Sequence, residues 1–230
     1  MIAAVAMALA AQAKTLVVYY SYTNNVARIV GELTSQIEAD VIRVEPAEKG
    51  LDYAADNYAI GSAQIAAIRN NPDDIASYPA IDPVEVNLDD YDCVMVDAPL
   101  WWSNMAAPLQ TFLFQHGKEM AGKKIGLIVS SASSGISGVE GDARRLIPDG
   151  DFFTPSLWIR SSQTSSAASL VAEWLKTIGY DAATGIAAVP SGNPATASVY
   201  TLSGMRVNGD SYPAAGIYIV NGQKVMVCDN

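Results

Sequence analysis

Thr15-Leu-Val-Val-Tyr-Tyr20 runs directly into Ser21-Tyr-Thr-Asn-Asn-Val26, and this junction constrains the fold more than any other stretch of the chain. An unbroken apolar run of β-branched and aromatic residues reads as a strand buried on both faces. The polar turn after it opens an amphipathic helix. Val26, Ile29, Val30, Leu33 and Ile37 fall at the i, i+3, i+4, i+7 spacing of one buried stripe. A strand, a hydroxyl-rich turn and a helix N-terminus together form an anion site, because free backbone N–H groups and the helix dipole meet there. The turn carries no Lys or Arg and no Gly-Lys-Ser/Thr. It therefore suits a phosphate monoester held by neutral donors better than a nucleoside triphosphate with Mg²⁺.

The same pattern repeats. Strands are expected at Leu16–Tyr20, 40–44, Cys93–Ala98, 124–130 and 156–160. Helices are expected at 25–38, 56–70, 109–117, 139–146 and 167–178, the last ending at Gly179. Between the second and third strands lies a long excursion, 45–91, with Tyr53, Tyr58 and Tyr78 and breaks at Pro72, Pro79 and Pro83. Alternating strands and helices imply a parallel sheet covered on both faces. Ligands of such sheets bind beyond the carboxyl ends of the strands. The loops after the first, third and fourth strands should therefore surround one crevice.

Composition removes several classes of function. The 230 residues are half hydrophobic, enough for one sizeable α/β domain and an appendage. A net charge of −10 repels nucleic acid and suits docking to a basic protein partner. Cys93 sits in an apolar strand and reads as a small core residue; with Cys228 it makes no disulfide framework. His116 has no metal-ligand spacing around it and reads as structural. Ser131 and Ser133 lack a histidine partner, because His116 belongs at the far end of its helix, so no catalytic residue is assigned.

Three loops carry a resemblance to flavodoxins. Ser21, Tyr22, Thr23, Asn24, Asn25 and Val26 resemble the Ser/Thr-x-Thr-Gly-Asn-Thr loop that wraps the FMN phosphate. Asn24 stands for the glycine, and Asn tolerates left-handed backbone; Val26 stands for the last threonine and removes one hydroxyl donor. Pro99, Leu100, Trp101, Trp102, Ser103, Asn104 and Met105 resemble the Pro-Ile-Trp-Trp-Gly-Thr-Met stretch of one flavodoxin subfamily, whose aromatic faces pack against the isoalloxazine ring. The other reading has one Trp in the core and the second covering a neighbouring loop. Ser131, Ala132, Ser133, Ser134 and Gly135 stand where that subfamily has a Gly-rich loop; here a solvated, helix-capping turn is the competing reading.

The resemblance covers residues 14–179, about seventy per cent of the chain. It implies a doubly wound five-stranded parallel sheet of order 2-1-3-4-5, non-covalent FMN, and electron transfer or a small FMN-dependent reductase activity. The alternative is a flavodoxin-fold binding or adhesion protein whose site no longer holds FMN.

The two ends of the chain point to export. Residues 1–13 are apolar and uncharged and end in Ala11-Gln12-Ala13, as a signal peptide does when its positively charged start is missing; a helical extension is the plainer reading. The run is too short to span a bilayer. Residues 181–196 read as a linker and 197–230 as a small β-rich region, with hairpins around Ser203-Gly204 and Asn221-Gly222. This tail resembles the C-terminal regions of exported Bacteroidota proteins, which implies contact with surface sorting machinery.

Overall fold

The computed structural model describes residues 14–180, and the backbone of three further strands at 199–201, 216–220 and 223–227. The expected signal peptide, the linker 181–196, both tail turns and Cys228 lie outside the described residues.

The buried run forms β1 (Thr15–Tyr19), which lies between β2 (Asp40–Arg43) and β3 (Cys93–Trp101), parallel to both. β3 pairs in parallel with β5 (Lys124–Ser131). The outermost position is shared by two short strands. β6 (Asp151–Phe152) lies beside the start of β5, and β7 (Leu157–Arg160) beside its end. The expected order 2-1-3-4-5 therefore holds, with its fifth strand divided and one antiparallel strand added, β4 (Asn104–Met105), paired to the end of β3.

Five helices cover the sheet: α1 (Asn25–Thr34), α2 (Ala55–Asn70), α3 (Ala107–His116), α4 (Ser137–Leu146) and α5 (Ala167–Thr177). One core lies under α1 and α5, where Val26, Ile29 and Leu33 meet Val171 and Trp174. The other lies under α2, α3 and α4, with Ile65, Leu109, Phe112 and Val139. α1 stops four residues before its expected end; the Gln36 and Ile37 N–H groups both turn back to the Leu33 carbonyl. α3 begins two residues early, with Pro108 in its first turn, where a missing N–H costs nothing. β3 runs three residues past Ala98, because the hairpin with β4 continues its pairing.

In the C-terminal region, β8 (Val199–Thr201), β9 (Gly216–Val220) and β10 (Gln223–Val227) form a separate antiparallel sheet with β9 in the centre and Val220 opposite Gln223.

Candidate functional site

The first loop has the conformation its turn chemistry calls for. Asn24, at the N-cap of α1, is left-handed with φ 64°. Ser21 is buried, and its Oγ accepts the Ala27 N–H at 3.1 Å, closing the first turn of the helix. Among the described residues, the backbone N–H groups of Thr23, Asn24, Asn25 and Val26 donate to nothing. Four unsatisfied donors at the positive end of a helix are a seat for an oxyanion. Asn25 Nδ2 donates to Thr23 Oγ1 at 3.3 Å, which holds that hydroxyl at the rim. Val26 contributes only its N–H, since its side chain belongs to the core under α1. One cation reaches the loop from a distance in sequence: Arg43 Nη2 donates to the Ser21 carbonyl at 3.1 Å.

The second loop is a tight hairpin. Leu100 pairs with Met105 and Trp101 with Asn104, leaving Trp102 and Ser103 as a two-residue turn. Both are left-handed, at φ 45° and 64°, as the mirror-image turns of hairpins require. The turn is clamped from two sides. From α2, Arg69 donates to the Trp102 carbonyl at 2.6 Å and to Asn104 Oδ1 at 2.7 Å. From α4, the Asp142 carboxylate accepts Asn104 Nδ2 and the Met105 N–H, each at 2.9 Å. Arg145 in turn reaches Asp142, Gln110 and the Tyr78 hydroxyl. The Asn104 amide is thus used on both ends, and the Met105 side chain is fully buried.

Between these loops opens a cavity of about 300 Å³, lined by Tyr22, Thr23, Tyr53, Ala54, Tyr58, Gly61, Leu100, Trp101 and Trp102. Trp101 packs against the core with its ring 4.8 Å from Tyr53 and 5.6 Å from Tyr20. Trp102 stays 41% exposed at the mouth, opposite Tyr58 at 6.5 Å. Trp101 thus leans on the core, and both rings line the cavity. Gly61 makes the close approach feasible, because a Cβ there would stand 2.9 Å from the Trp102 ring. At the rim the Tyr22 hydroxyl donates to Asp52 Oδ1 at 2.9 Å and accepts the Ala54 N–H. The Tyr22 bond and the Ala54 N–H hold the Asp52 carboxyl below its ordinary value.

The third loop stands apart from this cavity. Ser131 is buried, donating to the Ser134 carbonyl and accepting Trp158 Nε1–H, both at 2.8 Å. Ala132, Ser133, Ser134 and Gly135 are exposed. None of the five lines the cleft. Pro99, half-buried in β3, holds the hairpin entry and does not line it either. The sequence reading missed Tyr53, Ala54, Tyr58 and Gly61, which bring the opposite wall. Their signal was two tyrosines in an excursion too long for a simple connection. Asp56, Asn57 and Tyr58 are all left-handed at the start of α2, a strained run that aims Tyr58 across the mouth.

Elsewhere the Cys93 thiol is buried and pushed up to about 12 by that burial, as suits a core residue. His116 is the last residue of α3, its ring 4.8 Å from Phe112. No helix among the described residues is long and apolar enough to cross a membrane.

Comparison with solved structures returns the same architecture. A protein described as a flavoprotein from Bacteroides eggerthii matches at 23% identity and TM-score 0.58, over 73% of this chain and 99% of that one. A flavoprotein in complex with FMN from Lactobacillus acidophilus matches at 22% identity and TM-score 0.53, over 68% and 99%. A second protein described as a flavoprotein, from Bacteroides uniformis, matches at 23% identity and TM-score 0.55, over 71% and 98%. Comparison with curated proteins gives no match. The flavodoxin family model matches residues 14–178, the whole parallel-sheet domain, and the chain belongs to the flavodoxin family.

Proposed function

We propose that this protein is an exported flavodoxin-like electron-transfer protein that binds FMN without a covalent bond. The observation that carries the reading is the adjacency of two features. Four unpartnered N–H groups at the start of α1 border a cleft walled by Trp101, Trp102, Tyr53 and Tyr58, and Thr23 belongs to both. The donor set fits a phosphate monoester, and the aromatic walls fit a flat ring system. FMN, when bound, supplies one- and two-electron redox chemistry. The chain's own part is to bind and orient: the Thr23–Val26 N–H groups and the Thr23 hydroxyl hold the phosphate, and the tryptophan hairpin packs against the ring and excludes water. A reductase role differs from a carrier role in needing access for a donor or substrate; the open mouth between Trp102 and Tyr58 suits either.

The acidic surface favours a basic redox partner by electrostatic steering. The apolar N-terminus and the β-rich tail support export and a sorting role for residues beyond Asp181. Deleting those residues should leave flavin binding intact while changing where the protein is found.

The direct test is a visible absorption spectrum of the purified protein, followed by FMN titration with flavin fluorescence as readout. The two visible flavin bands, or stoichiometric quenching, support the reading. Neither band nor quenching at micromolar FMN would turn the assignment to a flavodoxin fold used for another ligand.

A further inference from the structure

The aromatic cleft has two walls on different elements. Tyr58 and Gly61 belong to α2, Trp101 and Trp102 to the β3–β4 hairpin. Ring contacts between the walls are non-directional and tolerate sliding. The directional link is Arg69, eight residues beyond Gly61 on α2. Its guanidinium grips the hairpin at both sides of the turn, through the Trp102 carbonyl at 2.6 Å and Asn104 Oδ1 at 2.7 Å. Among the described residues no other hydrogen bond joins α2 to the hairpin. A planar fork with several N–H donors suits two acceptors at once; an ammonium group does not hold that geometry.

The hairpin needs such a hold. Its two turn residues are left-handed without being glycine, so its conformation depends on what surrounds it. Asn104 passes the link onward to Asp142 at 2.9 Å, so the turn is anchored to α4 while Arg69 ties it to α2.

We propose that Arg69 is a positioning residue that sets the separation of the two cleft walls, and through it the grip on a flat ring. The proposal rests on the flavin reading of the cleft, and one part of its test does not. Arg69 is exposed and outside the core, so its replacement leaves a folded protein.

The experiment compares wild type, Arg69→Met and Arg69→Lys. In flavin-free protein, the difference in acrylamide quenching of tryptophan fluorescence between wild type and variant reports how freely Trp101 and Trp102 open to solvent. Trp158, bonded to Ser131, and Trp174, in the core under α5, lie away from Arg69 and contribute alike to all three proteins. FMN and riboflavin titrations then separate ring from phosphate, because riboflavin lacks the phosphate. For Arg69→Met we expect a higher quenching constant and about tenfold weaker binding of both flavins, by the same factor. Arg69→Lys should fall between, and thermal midpoints should stay close to wild type. Unchanged quenching overturns the clamp. Increased quenching with unchanged flavin affinity, or a loss confined to FMN, overturns its role in gripping the ring. Wild type that binds neither flavin, with Arg69→Met still more quenchable, supports the clamp and removes the flavin reading.

Discussion

The carbonyl oxygen of Ser103 lies against Gly138 so closely that a Cβ on Gly138 would stand 1.8 Å from it. The tryptophan hairpin is thereby seated on the N-terminal turn of α4, which, although outside the cleft, sets the position of a cleft wall. Gly138→Ala should push the hairpin outward and lower unfolding free energy by about 1–3 kcal/mol, as overpacking does. Urea unfolding checks it. An unchanged midpoint would mean that the turn yields without cost.

Ser103 itself is left-handed, a conformation that costs a non-glycine residue about 1–2 kcal/mol. Ser103→Gly restores the residue found in the resembling flavodoxin stretch and should stabilise the protein by up to about 1 kcal/mol, since glycine's greater unfolded-state entropy offsets part of the gain. A thermal melt showing destabilisation would assign the Ser103 side chain a role that its contacts do not reveal.

Ser21 and Thr23 should separate on substitution. Ser21 Oγ caps the Ala27 N–H, so Ser21→Ala should cost about 0.5–2 kcal/mol of stability. Thr23 stands at the rim, so Thr23→Ala should leave stability unchanged and weaken FMN binding, with the pair together losing about 1–3 kcal/mol of binding. Equal FMN affinity in the double variant and wild type would locate the phosphate elsewhere.

Asp97 is fully buried in β3, and neither carboxyl oxygen has a hydrogen-bond partner. Burial raises its pKa well above the ordinary carboxylate value. The folded state therefore holds this proton more tightly than the unfolded chain. Its contribution to stability is fully present below the unfolded carboxyl value of about 3.9 and is lost as pH rises toward the folded value, with a slope of at most about 1.4 kcal/mol per pH unit. Asp97→Asn removes that dependence. Denaturant unfolding of both proteins between about pH 4 and pH 8 should show the variant gaining relative to wild type as pH rises. Parallel profiles would mean that Asp97 is ionised in the fold.

Much of this was legible in the chain. Buried strands announce themselves as unbroken apolar runs, and the Val26/Ile29/Leu33 stripe faces the core as its spacing requires. Asn24 takes the left-handed position expected of a glycine substitute, because that preference is local to the residue. The two strand-end loops that supply Tyr22, Thr23, Trp101 and Trp102 to the cleft were visible as turn chemistry.

What the sequence by itself determined is therefore whatever depends on near neighbours: the alternation of strands and helices, their buried faces, the polar turn that opens α1 and the aromatic pair at the end of β3. Tertiary structure alone decided which side chains remain free to act. Asn104 and Ser131 look like available polar groups in the sequence, yet Arg69, Asp142 and Trp158 consume their hydrogen bonds across 27 to 38 residues. Tyr53, Tyr58 and Gly61 become a cleft wall only once the long excursion folds back over the sheet. The reason is physical: propensity and periodicity register burial along a few turns of chain, whereas hydrogen-bond partners and cavity walls are set by packing between elements that the sequence keeps far apart.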